Sequence, residues 1–419
     1  MHRYQPRTWL LGLVFALVSV LAAPTPAGAA VTTEAIFNNP AGTTAEQDKV
    51  RDRLVALING APAGTSVRLA LYTFTDNDVR DALIAAKGRG VAVKVIVDYK
   101  SHAYTPTGTT LTPGGEYENL AEALGTDRTQ LSWILSCPQG RGCIANRVLY
   151  SGENGSINHN KFALFSSTGG TSNVVFQTSA NMSGVQRTDL FNNAVTLVDK
   201  GLYDNYVAYF NDQVTYSSTA GTDTYYKTPT STTNPSFKNY FFPRKEASGL
   251  TYKTDPSTDT VKLILDKVDC AAHSEVRIAA NLFNRTHVAS KLVAMVNAGC
   301  SVTLAADADP DGGKPGSGEP SMHPDVEAIV SGKLTQRVEC WENPPAGRTA
   351  KIGLHSKYLL VTGTYDGVAG KKIVWTGSHN YTWQALRNND ETLLKIDSAA
   401  LYDLFKANHD QLMSYCAGT

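Results

Sequence analysis

The sequence predicts an α/β fold of two α-β-α lobes made by internal duplication, related by a pseudo-twofold axis and sharing one site. Three observations predict it. Residues 69–98 and 278–307 align without a gap at an offset of 209, pairing Phe74 with Phe283, Leu83 with Leu292, Gly90 with Gly299 and Asp98 with Asp307. A His-x-Lys triplet recurs, as His159-Asn160-Lys161 and His355-Ser356-Lys357. Between the copies, residues 215–235 are rich in Thr, Ser, Tyr and Pro, the composition of a connecting loop.

The first thirty residues read as an export leader. Arg3 and Arg7 form a positive start, Trp9 to Ala23 is a nearly unbroken apolar run, and Ala27-Gly28-Ala29 offers an A-x-A cleavage site. That run is short for a membrane span, which takes about 20 residues. The expected product is a secreted, extracellular protein. Its domains are a first lobe over 31–215, a linker over 216–235 and a second lobe over 236–419.

Within each repeat an apolar strand passes a polar turn into a helix. A Gly stop follows, then a second strand ending in Asp. Strand–helix–strand at this length is a parallel crossover unit. Val50, Leu54, Leu57 and Ile58 form a helical stripe ahead of the first unit, and Val261 to Val268 ahead of the second. Leu202-Tyr203-Asp204 and Leu401-Tyr402-Asp403 begin matching helices near the end of each copy.

The composition, 42% hydrophobic and 18% charged, is that of a globular protein rather than a disordered or fibrous one. With the leader set aside, 36 basic residues face 38 acidic ones. Binding of nucleic acid through bulk charge needs a clear basic excess, so no stable nucleic-acid partner is expected. The six cysteines, Cys137, Cys143, Cys270, Cys300, Cys340 and Cys416, all follow the leader, an even number suited to an oxidising compartment. Cys137 and Cys143 flank a loop short enough for a local staple; the other four allow three pairings.

The chemistry sits in the later part of each copy. Residues two apart on a strand share a face, so the His and Lys of each triplet project together. Both copies continue to a Ser-x-Asn turn, Ser179-Ala180-Asn181 and Ser378-His379-Asn380, and then to an Asn-Asn pair, Asn192-Asn193 and Asn388-Asn389. His159 to Asn193 and His355 to Asn389 are both 34 residues. Such a set suits a phosphodiester. Lys brings positive charge to the non-bridging oxygens and Asn and Ser add neutral donors. One imidazole attacks phosphorus while the other protonates the leaving alcohol. A single ligand per triplet is a poor metal site, so no cofactor is required.

With these residues the sequence resembles the phospholipase D superfamily, whose signature H-x-K-x4-D occurs twice, each time followed by G-S-x-N. The resemblance covers nearly the whole chain after the leader. It implies a two-lobed α/β fold and a covalent phosphohistidine. His159, Lys161, Ser179 and Asn181 would form one half-site and His355, Lys357, Ser378 and Asn380 the other, with His159 as nucleophile and His355 as acid. The chain departs from the signature in places. The motif Asp is Ser166 in one copy and Thr362 in the other, and Thr178 replaces the first Gly. A downstream Asn-x-acid, whose carboxylate orients a His, is met by Asn389-Asp390-Glu391 but not by Asn193-Ala194-Val195. Asp189 is the nearest substitute in the first copy. On this reading Glu391 serves the second copy and would strengthen His355 as a rival nucleophile.

Two further signals read as structural. Asp307, Asp309 and Asp311 copy the opening of a calcium loop, D-x-D-x-D-G, but follow a strand, and Gly318 takes the twelfth position. A solvated acidic loop is expected there. Tyr225-Tyr226 and Tyr240-Phe241-Phe242 are expected to pack between lobes rather than seat lipid. The function expected is a monomeric secreted hydrolase that removes the head group of a glycerophospholipid at a membrane or micelle surface, with transfer to other alcohols. The alternatives are an endonuclease of the same superfamily and an inactive phosphate-binding protein.

Overall fold

The protein is represented by a computed structural model that describes residues 1–2, 30–102, 116–148, 155–312 and 319–418. The leader and the end of the acidic loop lie outside the described residues. The strands of the first half are β1 (Glu34–Phe37), β2 (Ser66–Leu71), β3 (Ala92–Val97), β4 (Trp133–Ser136), β5 (Lys161–Thr168), β6 (Thr171–Thr178), β7 (Leu190–Phe191) and β8 (Asn193–Val198). Those of the second are β9 (Phe237–Phe241), β10 (Glu275–Ala280), β11 (Ser301–Asp307), β12 (Gln336–Glu342), β13 (Ile352–Leu354), β14 (Tyr358–Tyr365), β15 (Val368–Gly377) and β16 (Thr392–Asp397).

They form a seven-stranded sheet, ordered β1-β8-β6-β5-β2-β3-β4, and a nine-stranded one, ordered β7-β13-β12-β11-β10-β14-β15-β16-β9. Read in reverse from β9 to β12, the second sheet repeats the order of the first. The duplication is therefore visible strand by strand. In both sheets the crossover strands pair in parallel, β2 with β3 and β10 with β11, as the strand–helix–strand pattern requires. The crossover helices are Asn77–Gly88 and Thr286–Asn297. Asp76 starts the first by accepting from the backbone N–H groups of Asp78 and Val79. Gly90 and Gly299, at φ +87° and +100°, turn each chain from helix into the next strand.

The small β7 belongs to the second sheet, where it pairs in parallel with β13, although it lies in the first copy. The helix Lys200–Ser217 likewise runs two residues beyond the expected lobe boundary at 215. It and the helix Ala399–Tyr415 lie between the two sheets and share one apolar core with both. Phe37 meets Phe405 edge-on at 5.0 Å, and Tyr209 stacks on Phe241 at 4.1 Å. Tyr225, Phe241 and Phe242 are buried, so this aromatic run packs as expected. Two outer cores, one per lobe, fill the space between each sheet and its crossover helix.

Disulfides join Cys137 to Cys143, Cys270 to Cys300 and Cys340 to Cys416, leaving no cysteine free. The staple across Cys137 and Cys143 is the expected one. Cys340–Cys416 ties the end of the last helix to β12. At a separation of 76 residues, closing it contributes about 4 kcal/mol in the chain-entropy model.

Candidate active site

Each His-x-Lys triplet opens the central strand pair of its sheet, and each is anchored by the opposite copy. His159 N–H donates to Asp390 O at 3.0 Å, and His355 N–H donates to Phe191 O at 2.9 Å. These bonds belong to two matching parallel contacts between the halves, Asn158 with Asp390 and Leu354 with Phe191. Ahead of each His, a buried carboxylate from the end of β3 or β11 accepts the backbone N–H. Asp98 takes that of Asn158 and Asp307 that of Leu354, both at 2.7 Å. Burial pushes Asp98 up to about 6 and Asp307 up to about 7.

The exchange of strands brings side chains across with it. His159 Nδ1 lies 3.0 Å from Glu391 Oε2, and His355 Nδ1 lies 3.0 Å from Asn192 Oδ1. Each orienting residue is held by the serine of its own Ser-x-Asn turn. Ser378 Oγ donates to Glu391, and Ser179 Oγ donates to Asn192 Oδ1 at 2.8 Å. Glu391 stands 13 residues after Ser378, and Asn192 stands 13 after Ser179. The structural counterpart of Glu391 is thus Asn192.

Four expectations are corrected here. Glu391 orients His159 and not the His of its own copy, because the halves exchange strands at this point. Val195 is not its counterpart. Asp189 does not stand in for a missing acid: its carboxylate pairs with Arg348 at 2.7 Å, at the foot of β7. Asp307, expected in a solvated acidic loop, is buried and also accepts from Ser321 Oγ. Asp309 Oδ1 accepts from Asp311 N–H in a local turn.

Lys161 and Lys357 are buried, and each Nζ donates back to the carbonyl of its own His, Lys161 at 2.7 Å and Lys357 at 2.5 Å. Burial lowers Lys161 to about 7, and burial and then the Lys161 charge carry Lys357 well below the usual ammonium range. Both imidazoles are pushed well below their usual value, first by burial and then by the two lysines. Glu391 is pushed up to about 8 by burial, against the pull of Lys161. Every one of these shifts reflects charge held out of water, and two ammonium groups so close together favour a bound anion. The Oδ1 atoms of Asn181 and Asn380, the last residues of the two Ser-x-Asn turns, are buried without a protein partner.

The first Ser-x-Asn turn accommodates Thr178 through its hydroxyl, which donates to Asn193 O at 2.8 Å. At the matching Gly377, a Cβ would come within 2.2 Å of Thr392 O. The lost motif Asp is replaced in the first copy by a hydroxyl that still ties β5 to the start of β2, since Ser166 Oγ accepts from Ser66 N–H at 2.8 Å.

Sequence reasoning missed Asn192 as an orienting residue, Asp98 and Asp307 as buried anchors, and two others. Tyr72, just past the end of β2, packs edge-to-face with His159, ring centroids 5.0 Å apart, and its ring centroid lies 5.2 Å from Lys161 Nζ. Asp390 is buried and accepts from Ile144 N–H at 3.0 Å and Ala145 N–H at 2.7 Å, just past the Cys137–Cys143 staple. The repeat itself pointed to Asp98 and Asp307, which end its two strands at matched positions.

A family model described as "Cardiolipin synthase, PLD-like domain" matches residues 54–214 and 270–413. Among solved structures, phosphatidylserine synthase of Haemophilus influenzae Rd KW20 aligns with TM-score 0.56 at 13% identity, over 90% of this chain and 85% of that one. Polyphosphate kinase of Porphyromonas gingivalis aligns with TM-score 0.51 at 12% identity, over 91% of this chain and 50% of that one, so the chain spans about half its length. Nuc of Salmonella typhimurium, a phospholipase D family member, aligns with TM-score 0.30 at 18% identity, over 44% of this chain and 95% of that one. No curated protein gives a sequence match. With both halves matched by the family model and the fold shared at comparable size, the chain belongs to the phospholipase D superfamily.

Proposed function

We propose that the protein is an exported phosphodiesterase that removes the head group of glycerophospholipids through a phosphohistidine, passing the phosphatidyl group to water or to another alcohol. The observation that carries the reaction is the pairing of each imidazole with an orienting group from the opposite half. Glu391 holds the Nδ1–H of His159, so Nε2 of His159 presents its lone pair to phosphorus. As the P–Nε2 bond forms, the P–O bond to the head-group alcohol breaks, and His355 gives that oxygen a proton. His355, now neutral, takes a proton from water or the acceptor alcohol. The new oxygen attacks phosphorus, and the bond to His159 is released. Lys161 and Lys357 neutralise the non-bridging oxygens throughout, with Asn181 and Asn380 beside them.

A lipid substrate is supported by the names of the matching family model and of the phosphatidylserine synthase neighbour. Export is supported by the leader and by the three disulfides.

The test is release of choline from phosphatidylcholine vesicles in EDTA, beside plasmid nicking, with acid quench to trap phosphate on a peptide containing His159. Choline release with the adduct is the expected result. Nicking without choline release would transfer the reaction to nucleic acid, and neither activity would reject catalysis.

A further inference from the structure

The environment of Asn192 is built for an amide. Its Nδ2 donates to Gln186 O at 2.9 Å, Gln186 Oε1 at 3.1 Å and Leu190 O at 3.2 Å, three acceptors that would repel a carboxylate. Its backbone N–H donates to Asn38 Oδ1 at 2.6 Å, fixing the residue from the other side. With Nδ2 committed, Oδ1 can only accept, and it does so from Ser179 Oγ while facing His355 Nδ1. The proton of a neutral His355 therefore sits on Nδ1, and Nε2 carries a lone pair. Glu391 is held in the opposite way, by Ser378 Oγ and Asn389 Nδ2, both donors that suit a carboxylate.

We propose that Asn192 is the positioning residue that gives His355 a neutral partner, so that His355 donates a proton to the leaving alcohol only in acid while standing ready as the base of the second step. The inference rests on the reaction proposed above. The groups around His355 agree. Lys357 follows it two residues on, just ahead of β14, Lys161 and His159 come from the start of β5, and Asp307 and Glu391 are both pushed up by burial. Beyond Asn192, Arg187 is tied to Asp48 at 2.5 Å and to Asp76 at 3.4 Å. No carboxylate among the described residues makes a hydrogen bond or ion pair to the His355 ring; a backbone hydrogen bond with Ser179 favours its protonated form, and burial and the two lysines outweigh it.

The consequence is a specificity for leaving groups. An alkyl alcohol such as choline needs the proton, whereas p-nitrophenol does not. With the full-length enzyme, kcat/KM for phosphatidylcholine is expected to fall about tenfold per pH unit above an apparent pKa below the usual histidine value of about 6.5. The phosphatidyl-p-nitrophenol burst is expected to lack that limb. Asn192→Asp should move the limb up by about one pH unit or more, raising choline release at pH 8 about tenfold relative to p-nitrophenol release. A purely structural residue would lower both substrates alike. Because Asp at 192 would face the Gln186 and Leu190 carbonyls, a second measurement stands apart from that variant. The ¹⁵N signals of His355 in the unaltered enzyme, assigned through His355→Asn, should show a neutral Nδ1–H ring at pH 7. A protonated ring or an Nε2–H ring at pH 7 would overturn the inference, as would an unmoved limb in a folded Asn192→Asp enzyme. Failure of the phosphodiesterase reading looks different: no turnover of either substrate, with the ring spectrum still deciding the role of Asn192.

Discussion

Beside His159 stand a carboxylate from the opposite half and the ring of Tyr72, whose centroid lies 5.7 Å from Lys100 Nζ. Beside His355 stands an amide, and the repeat places Asn281 and Asp309 where the first half has Tyr72 and Lys100. The backbone frame is nevertheless the same on both sides: a carboxylate under the preceding N–H, a cross-half carbonyl on the His N–H, a serine behind the orienting residue. Duplication gave two equivalent frames, and side-chain divergence set a glutamate and an aromatic ring beside one imidazole and an amide beside the other, the difference on which the proposed roles of nucleophile and proton carrier rest. A symmetric pair would have left the two roles interchangeable.

The largest expected effect tests that division directly. His159→Ala should abolish both turnover and the trapped phosphopeptide. His355→Ala should keep a burst of about one p-nitrophenol per enzyme, because that leaving group departs unprotonated, while turnover slows by about 10²–10⁴ as the base of the second step is lost. Rapid-quench kinetics on both variants reads the comparison. A burst that survives in His159→Ala and vanishes in His355→Ala would invert it.

How much of this was legible in the sequence follows from where the two copies keep register. The crossover units share an offset of 209 without a gap, so the parallel β2–β3 and β10–β11 pairs could be read off, as could the shared His-x-Lys faces. The triplets are 196 apart but the Ser-x-Asn turns are 199 apart, since the β14–β15 hairpin is longer than β5–β6. Carrying the offset of 196 past that hairpin aligned Glu391 with Val195 and hid Asn192. The serine-to-acid spacing of 13 would have found it. What no local pattern shows is that Glu391 crosses to the other half, because the parallel contact of Asn158 with Asp390 joins residues 232 apart.

A second prediction compares the two buried anchors. Both Asp98 and Asp307 have their pKa raised above the unfolded value of about 3.9, so each lowers stability progressively as pH rises from there to about 6 or 7. Their partners differ. Asp98 accepts two backbone N–H groups, of Asn158 and Lys100, so the –NH2 of an Asn at 98 would meet a donor and cost about 1–3 kcal/mol. Asp307 accepts the backbone N–H groups of Leu354 and Asp309 and also a hydroxyl, that of Ser321, which can turn to accept instead. Asp307→Asn should therefore raise stability at pH 8 relative to pH 4 by about 1–4 kcal/mol, and Asp98→Asn should destabilise at pH 4. Urea titrations at the two pH values check both, and equal behaviour of the two variants would erase the distinction.

The smallest effect concerns the aromatic ring that stands beside His159, where the repeat gives the other half Asn281. Tyr72→Phe keeps the ring beside His159 and near the ammonium groups of Lys161 and Lys100, and deletes only the hydroxyl. Catalysis should then change less than about threefold. Tyr72→Asn, which installs the residue found at the matching position 281, removes the ring itself. A cation–ring contact in a partly desolvated site contributes about 0.5–2 kcal/mol, so the ammonium groups lose that much positional restraint. The expected result is a KM raised by about three- to thirtyfold with a smaller change in kcat, since Lys161 steadies the substrate's charge before and after the transition state alike. Steady-state kinetics on phosphatidylcholine separates the two variants. Should Tyr72→Phe match Tyr72→Asn, the hydroxyl and not the ring would be what the first half gained, and Tyr72 would act through the Lys100 contact rather than by packing on His159.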